Sequence, residues 1–150
     1  MIFPEVCQLC RDEPAKPEDG YIGDGCLGKL KPIEPPFCRR CGQLFPGEIS
    51  GEFECTNCVE MGLRFEFARA VMQANAEMLE AIHRFKYQQA LWLEPLFDRL
   101  FSGGAVKQIG DWRGDCLVPV PLHPVRLRER GFNQAEQLCR NLSRATGLRV

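Results

Sequence analysis

Three Cys-x-x-Cys pairs, Cys7/Cys10, Cys38/Cys41 and Cys55/Cys58, crowd the first part of the chain, with Cys26 alone between them. Seven of the nine cysteines precede residue 60. The same stretch carries Pro14, Pro17, Gly20, Gly23, Gly25, Gly28, Pro32, Pro35, Pro36, Gly42, Pro46, Gly47 and Gly51. Turn formers at that density leave no room for long helices. A segment of this kind buries little apolar surface and needs a staple.

The pairs indicate which staple. A Cys-x-x-Cys turn places two thiolates on one ion, and a second turn across a hairpin supplies two more, completing the tetrahedron that zinc prefers. Cys38-Arg39-Arg40-Cys41-Gly42 is one such turn, and its glycine permits a positive φ. Cys55-Thr56-Asn57-Cys58 is the second, at a spacing close to that of zinc ribbons. Cys38, Cys41, Cys55 and Cys58 are therefore assigned to one structural zinc ion. The competing reading is a disulfide framework, which suits a secreted chain. The opening residues, Met1-Ile2-Phe3-Pro4-Glu5, have neither a basic n-region nor an apolar h-region, so a cytoplasmic location is the expectation. A redox site is disfavoured because no βαβ pattern precedes the pairs.

Cys7, Cys10 and Cys26 supply three ligands for a second site that needs a fourth. Asp19, Asp24 or a water are the candidates; interleaved pairs or a decayed site are alternatives. Cys116 and Cys139 read as buried small hydrophobes.

Charge is unevenly distributed. Residues 1–60 hold six Lys/Arg against eleven Asp/Glu, whereas residues 121–150 hold six Arg against two Glu. The basic end is where an anionic ligand would bind. The whole-chain net charge of -1 argues against general nucleic-acid binding. No apolar run approaches the roughly 20 residues needed to span a bilayer.

After residue 60 the pattern changes. Alternation at Phe65, Phe67, Arg69 and Val71 predicts a short strand. Met78, Leu79, Ile82 and Phe85 follow helical spacing, as do Leu91, Trp92, Leu96, Phe97, Leu100 and Phe101, with a stop predicted at Gly103-Gly104 and a loop over 102–114. Trp92 and Trp112 read as packing residues. Cys116-Leu117-Val118-Pro119-Val120 predicts a buried strand ending at Pro119. A loop with three arginines follows, then a helix bearing Phe132, Ala135, Leu138, Cys139, Leu142 and Ala145 on one face and ending at Gly147. Leu148-Arg149-Val150 opens a further strand. Strand, basic loop, helix and strand begin a βαβ unit. A parallel sheet buries both faces and needs more strands, so the expectation is a piece of a longer protein.

A strand end leading through a loop into a helix N-terminus favours anions. Arg126, Arg128 and Arg130 alternate, so an extended loop would not aim all three one way; one or two would grip a pyrophosphate by bidentate hydrogen bonds, near the backbone N–H of Gly131. The bland reading is a solvated loop whose arginines pair with Glu129 and Glu136. His123 reads as structural, Asn133 and Gln134 as capping or orienting residues. Lys86 reaches either a phosphate or solvent at a helix C-terminus.

The stretch Val118-Pro-Val-Pro-Leu-His-Pro-Val-Arg-Leu-Arg-Glu-Arg-Gly-Phe-Asn-Gln-Ala135 closely resembles the signature of the ComF family. The paired cysteines are similar to that family's double zinc ribbon, and His83-Arg84-Phe85-Lys86-Tyr87 to its helix ending in Lys-Tyr or Lys-Phe. The resemblance implies an α/β chain, a zinc ribbon module over 1–60 followed over 61–150 by an incomplete type I phosphoribosyltransferase-like domain. It implies phosphoribosyl pyrophosphate with magnesium as ligand of the full-length protein, and Arg126, Arg128, Arg130 and Gly131 as its pyrophosphate-facing loop. Two departures stand out. Gly23 occupies the place of a cysteine three before Cys26. The family's Asp-Asp-x-x-Thr-Thr-Gly phosphate loop does not occur up to Val150, so these 150 residues alone are expected to be catalytically inactive.

Three functions compete. One is a phosphoribosyltransferase-like protein linked to DNA uptake in natural transformation, with competence-machinery proteins as partners. Another is a zinc-ribbon single-stranded DNA-binding protein without transferase activity. The last is a remnant with a folded zinc module and exposed apolar faces.

Overall fold

The computed structural model describes residues 5–109 and 114–150, with backbone only at 107–109. Two compact units emerge. One unit is Lys31–Gln73; the other joins Met1–Leu30 to Ala74–Val150.

In the first of these, Lys31–Gln73, the chain forms turns and a single short helix. A bridge between Phe37 and Leu44 closes the turn that carries Cys38 and Cys41. Gly42 adopts φ +73°, as its place after Cys41 predicts, and a Cβ there would approach the Ala68 carbonyl oxygen to 2.8 Å. The segment predicted as a strand around Phe65–Val71 makes no ladder. It returns along the turn through Ala68 N–H donating to Arg40 O, Ile33 N–H to Val71 O and a lone bridge between Pro32 and Met72. Its alternating side chains serve guanidinium groups instead. Arg40 lies over Phe65, and Arg69 over both Phe37 and Phe67.

The other unit contains α1 (Asp24–Leu27), two 3-10 turns (Pro17–Asp19 and Leu91–Leu93) and four further α-helices among its described residues; α2 (Thr56–Glu60) belongs to Lys31–Gln73. The first of the four is α3 (Ala76–Tyr87). Asn75 caps it by accepting from Met78 N–H, and the helix buries Met78, Ala81 and Phe85 on one face. Next comes α4 (Glu94–Ile109). It runs through Gly103 and Gly104, where a stop was predicted. Each glycine costs a helix only about 1 kcal/mol, and burial of Ala105 in the turn beyond them opposes that cost. The loop expected over 102–114 is thus helical to Ile109, and residues 110–113, with Trp112, lie outside the described residues.

Helix α5 (Pro124–Arg130) fills what was read as an extended loop. Pro124 sits at its first position and His123 Nδ1 accepts from Val125 N–H, so His123 is a helix cap. Gly131 ends it at φ +78°. Helix α6 (Gln134–Thr146) follows, capped by Asn133 and ended by Gly147, and packs along α4. Phe85 joins α3 to α4 and to the α5–α6 turn, 4.8 Å from Phe97 and 5.4 Å from Phe132.

Of the α/β expectation the N-terminal cysteine module is found, but the described residues after it form a helical region and no strand. One parallel bridge, Cys116 to Arg149, joins the two segments that flank α5 and α6. The stretch predicted as a buried strand is exposed, Val118 at 79% and Val120 at 75%, because no neighbouring strand covers it among the described residues. Cys116 is likewise exposed rather than buried, while Cys139 is half-buried.

Candidate metal centres and basic cluster

Cys38, Cys41, Cys55 and Cys58 converge, their sulfurs all within 4.8 Å of one another. The turn at Cys38 is set by Cys38 N–H donating to Gln43 O and Gly42 N–H to Cys38 O. Cys55 is the N-cap of α2, which carries Cys58 one turn on. Sulfur separations are 3.7 Å for Cys38–Cys58, 3.7 Å for Cys41–Cys55 and 3.5 Å for Cys55–Cys58. Four thiolates at about 2.3 Å from a zinc ion have tetrahedral edges of about 3.8 Å, so the set fits that ion.

The electrostatics point the same way. Desolvation pushes the Cys38 thiol up, but the N–H groups of Cys41, Cys55 and Arg40 outweigh it and bring it down to about 6. Desolvation and the three neighbouring sulfurs drive the Cys58 thiol well above its usual range. Without a cation the surroundings favour the Cys38 thiolate and disfavour those of Cys41 and Cys58. A divalent cation lifts that conflict.

Cys7, Cys10 and Cys26 also converge, and the fourth group with them is Glu13. The Val6–Pro14 bridge and Cys7 N–H donating to Glu13 O close a small hairpin around Cys7 and Cys10. Arg84 of α3 donates to Gln8 O, tying that hairpin to the helices. Glu13 Oε2 accepts from Gly25 N–H at 2.7 Å, and Oε1 from Cys26 N–H at 3.0 Å and Cys10 Sγ at 3.4 Å. Its carboxyl is held below the usual range chiefly by the Gly25 N–H, with desolvation opposing and Cys26 and Cys10 adding. Neither aspartate proposed from sequence joins the cluster: Asp19 pairs with Arg99 and Asp24 stands exposed at the start of α1. Glu13 escaped the sequence reading because it belongs to no Cys-x-x-Cys spacing. Its approach depends on the hairpin's closure.

The arginines behave as helix residues. Arg126 and Arg130 lie four apart, on one face of α5, and Arg128 on the opposite side. Arg126 is paired with Glu129 at 2.8 Å. Arg130 donates to Gln134 Oε1 and its guanidinium lies 4.7 Å from the Tyr87 ring, which brings the end of α3 beside the end of α5. Arg128 and Lys86 are exposed and enter no ion pair among the described residues. Gly131 N–H is donated to Leu127 O as a helix cap. Glu136 pairs with Arg140 within α6. Asn133 spans the motif, its Oδ1 accepting from Ala135 N–H and its Nδ2 donating to Val120 O.

Two cysteine-centred clusters suit the ligand sets of a double zinc ribbon, and residues 1–59 match the family model described as a double zinc ribbon domain. Over most of its length the chain is homologous to the ComF-type competence proteins. It is 33% identical over 132 residues to competence protein ComFC of Bacillus subtilis, covering 84% of this chain and 53% of that protein. It is 26% identical over 141 residues to competence protein F of Haemophilus influenzae, covering 92% of this chain and 59% of that protein. The chain thus spans little more than half the length of these relatives. No solved structure matches it. Among the described residues, no helix is long and apolar enough to cross a membrane.

Proposed function

We propose that this chain contributes the metal-stabilised half of a competence protein of the ComF type, acting in DNA uptake, in which zinc holds the ribbons together and the basic end of the helical unit binds phosphoribosyl pyrophosphate or a similar anion with magnesium. Zinc here is structural: closed four-ligand sites leave no open position for chemistry. The observation that carries the anion reading is the Tyr87–Arg130 stack, which brings the basic end of α3, with Lys86, beside Arg130 at the basic end of α5. Lys86 lacks a carboxylate partner among the described residues, so no ion pair must be broken before it meets a phosphate beside Arg130.

The competing reading, single-stranded DNA held on the ribbon, has less support. Three arginines of Lys31–Gln73 are engaged within their own unit. Arg39 pairs with Glu54 at 2.9 Å, Arg40 donates to Leu63 O and Arg69 to Arg39 O.

Calorimetric titration with inorganic pyrophosphate, and with phosphoribosyl pyrophosphate plus magnesium, tests the anion reading. Binding is expected with either, weakened about ten- to 150-fold by Lys86→Ala, as a charge-assisted hydrogen bond of about 1.5–3 kcal/mol implies. Absence of binding, or identical binding by Lys86→Ala and the unaltered chain, would refute it. Salt-sensitive binding of an oligonucleotide in its place would favour the DNA reading.

A further inference from the structure

We propose that Glu13 is the fourth ligand of the first metal site, standing in for a cysteine that the chain lacks at position 23, so that a site of three sulfurs and one oxygen accompanies the four-sulfur site. The proposal rests on the structural-zinc reading given above and concerns only which groups hold the ion.

The two clusters repeat one pattern. Arg11 N–H donates to Cys7 O, as Gly42 N–H donates to Cys38 O, each four residues on and each at positive φ, 65° for Arg11 and 73° for Gly42. Cys7 therefore corresponds to Cys38, and Cys10 to Cys41. Cys26 lies in α1 three residues after its N-cap, as Cys58 lies in α2 three residues after Cys55. The N-cap of α1 is Gly23, with φ -77° and ψ 161°, and the N-cap of α2 is Cys55, with φ -71° and ψ 155°. Gly23 is the positional equivalent of a ligand. Its backbone conformation is open to any residue, so glycine is not there for conformational freedom.

What glycine leaves is space, and Glu13 fills it. A Cβ on Gly23 would fall 2.3 Å from Glu13 Cδ and 2.7 Å from Oε1. The carboxylate thus lies where a cysteine side chain at position 23 would begin. Its oxygens are aimed by two backbone N–H groups, those of Gly25 and Cys26. Oε1 is 3.4 Å from Cys10 Sγ. In a tetrahedral site with one oxygen at about 2.0 Å and sulfur at about 2.3 Å, that edge is about 3.5 Å. As the ion binds, Cys10 loses its thiol proton to solvent, which frees the Oε1 lone pair facing it. The class of ligand is a divalent ion that accepts both sulfur and oxygen, as zinc does.

Cadmium NMR on the cadmium-loaded chain, together with zinc content by mass spectrometry, tests the assignment. Two zinc ions per chain are expected, and two cadmium resonances, one in the four-sulfur range and one displaced by its oxygen ligand. Glu13→Gln keeps an acceptor for one of the two N–H groups, sets its NH2 against the other, and is a poor ligand. It is expected to lose the displaced resonance and one zinc ion while keeping the four-sulfur signal. Combining Glu13→Ala with Gly23→Cys is expected to restore the second ion, with both resonances in the four-sulfur range, which a merely misfolded hairpin would not do. Retention of the displaced resonance in Glu13→Gln would overturn the role of Glu13. So would a single zinc at the four-cysteine site, which leaves the zinc reading of that site standing. A chain with no zinc at all would overturn the zinc reading itself.

Discussion

The Arg130 guanidinium stacks 4.7 Å from the centre of the Tyr87 ring, and through this contact the basic turn is held against the third helix. An exposed cation–π pair is worth about 0.5–1 kcal/mol. Tyr87→Ala should lower unfolding stability by about that amount in a denaturant titration. It should also weaken pyrophosphate binding, because Arg130 and Lys86 are no longer held together. Phenylalanine at the same position should preserve both.

Phe85 lies between Phe97 and Phe132 and is almost fully buried. Phe85→Ala should cost about 3–5 kcal/mol, the range for a large aromatic removed from a core. The check is chemical denaturation followed by far-ultraviolet circular dichroism. Since Phe85 touches the α5–α6 turn through Phe132, loss of that turn's order should accompany the loss of stability.

Asn133 makes two hydrogen bonds that no aliphatic residue replaces, one capping α6 and one holding Val120. Asn133→Ala should cost about 1 kcal/mol from the cap alone. Asn133→Asp keeps the cap acceptor but loses the donor to Val120 O, so it should fall between the parent and the alanine variant. Thermal melts of the three proteins separate the two contributions.

Cys38→Ser removes a sulfur that also accepts from Cys55 N–H at 3.3 Å. Amide signals from residues 31–73 should collapse in the NMR spectrum of this variant, because binding free energy in such a module is folding free energy. Signals of α3, α4 and α6 should persist, since those helices belong to the other compact unit.

The metal clusters were legible because ligand spacing is local. Cys38, Cys41, Cys55 and Cys58 announce themselves by interval alone. Glu13 did not, since its place is fixed by a hairpin closure and by the missing side chain at Gly23. Helix α3 was readable from its apolar spacing. The end of α4 was not, because Gly103 and Gly104 weaken a helix without ending it, and Ala105 is buried in the turn beyond them. The strands around Phe65 and Val118 failed for a different reason. Alternation and apolar runs describe side chains suited to a sheet, but a strand requires a neighbour. Phe65 and Phe67 found guanidinium partners instead, while Val118 and Val120 have none among the described residues. Pro124 and His123 show how a basic stretch read as extended becomes a helix: one supplies the preset φ, the other the cap.

The central claim is that paired cysteine turns hold zinc and that this ion maintains the fold. Native mass spectrometry of the chain purified without chelator, followed by thiol alkylation after zinc is stripped, tests it most directly. Two bound zinc ions, and nine cysteines that all alkylate once the metal is removed, are the predicted result. A metal-free chain that remains folded, with Cys38, Cys41, Cys55 and Cys58 oxidised to disulfides and closed to alkylation, would contradict it.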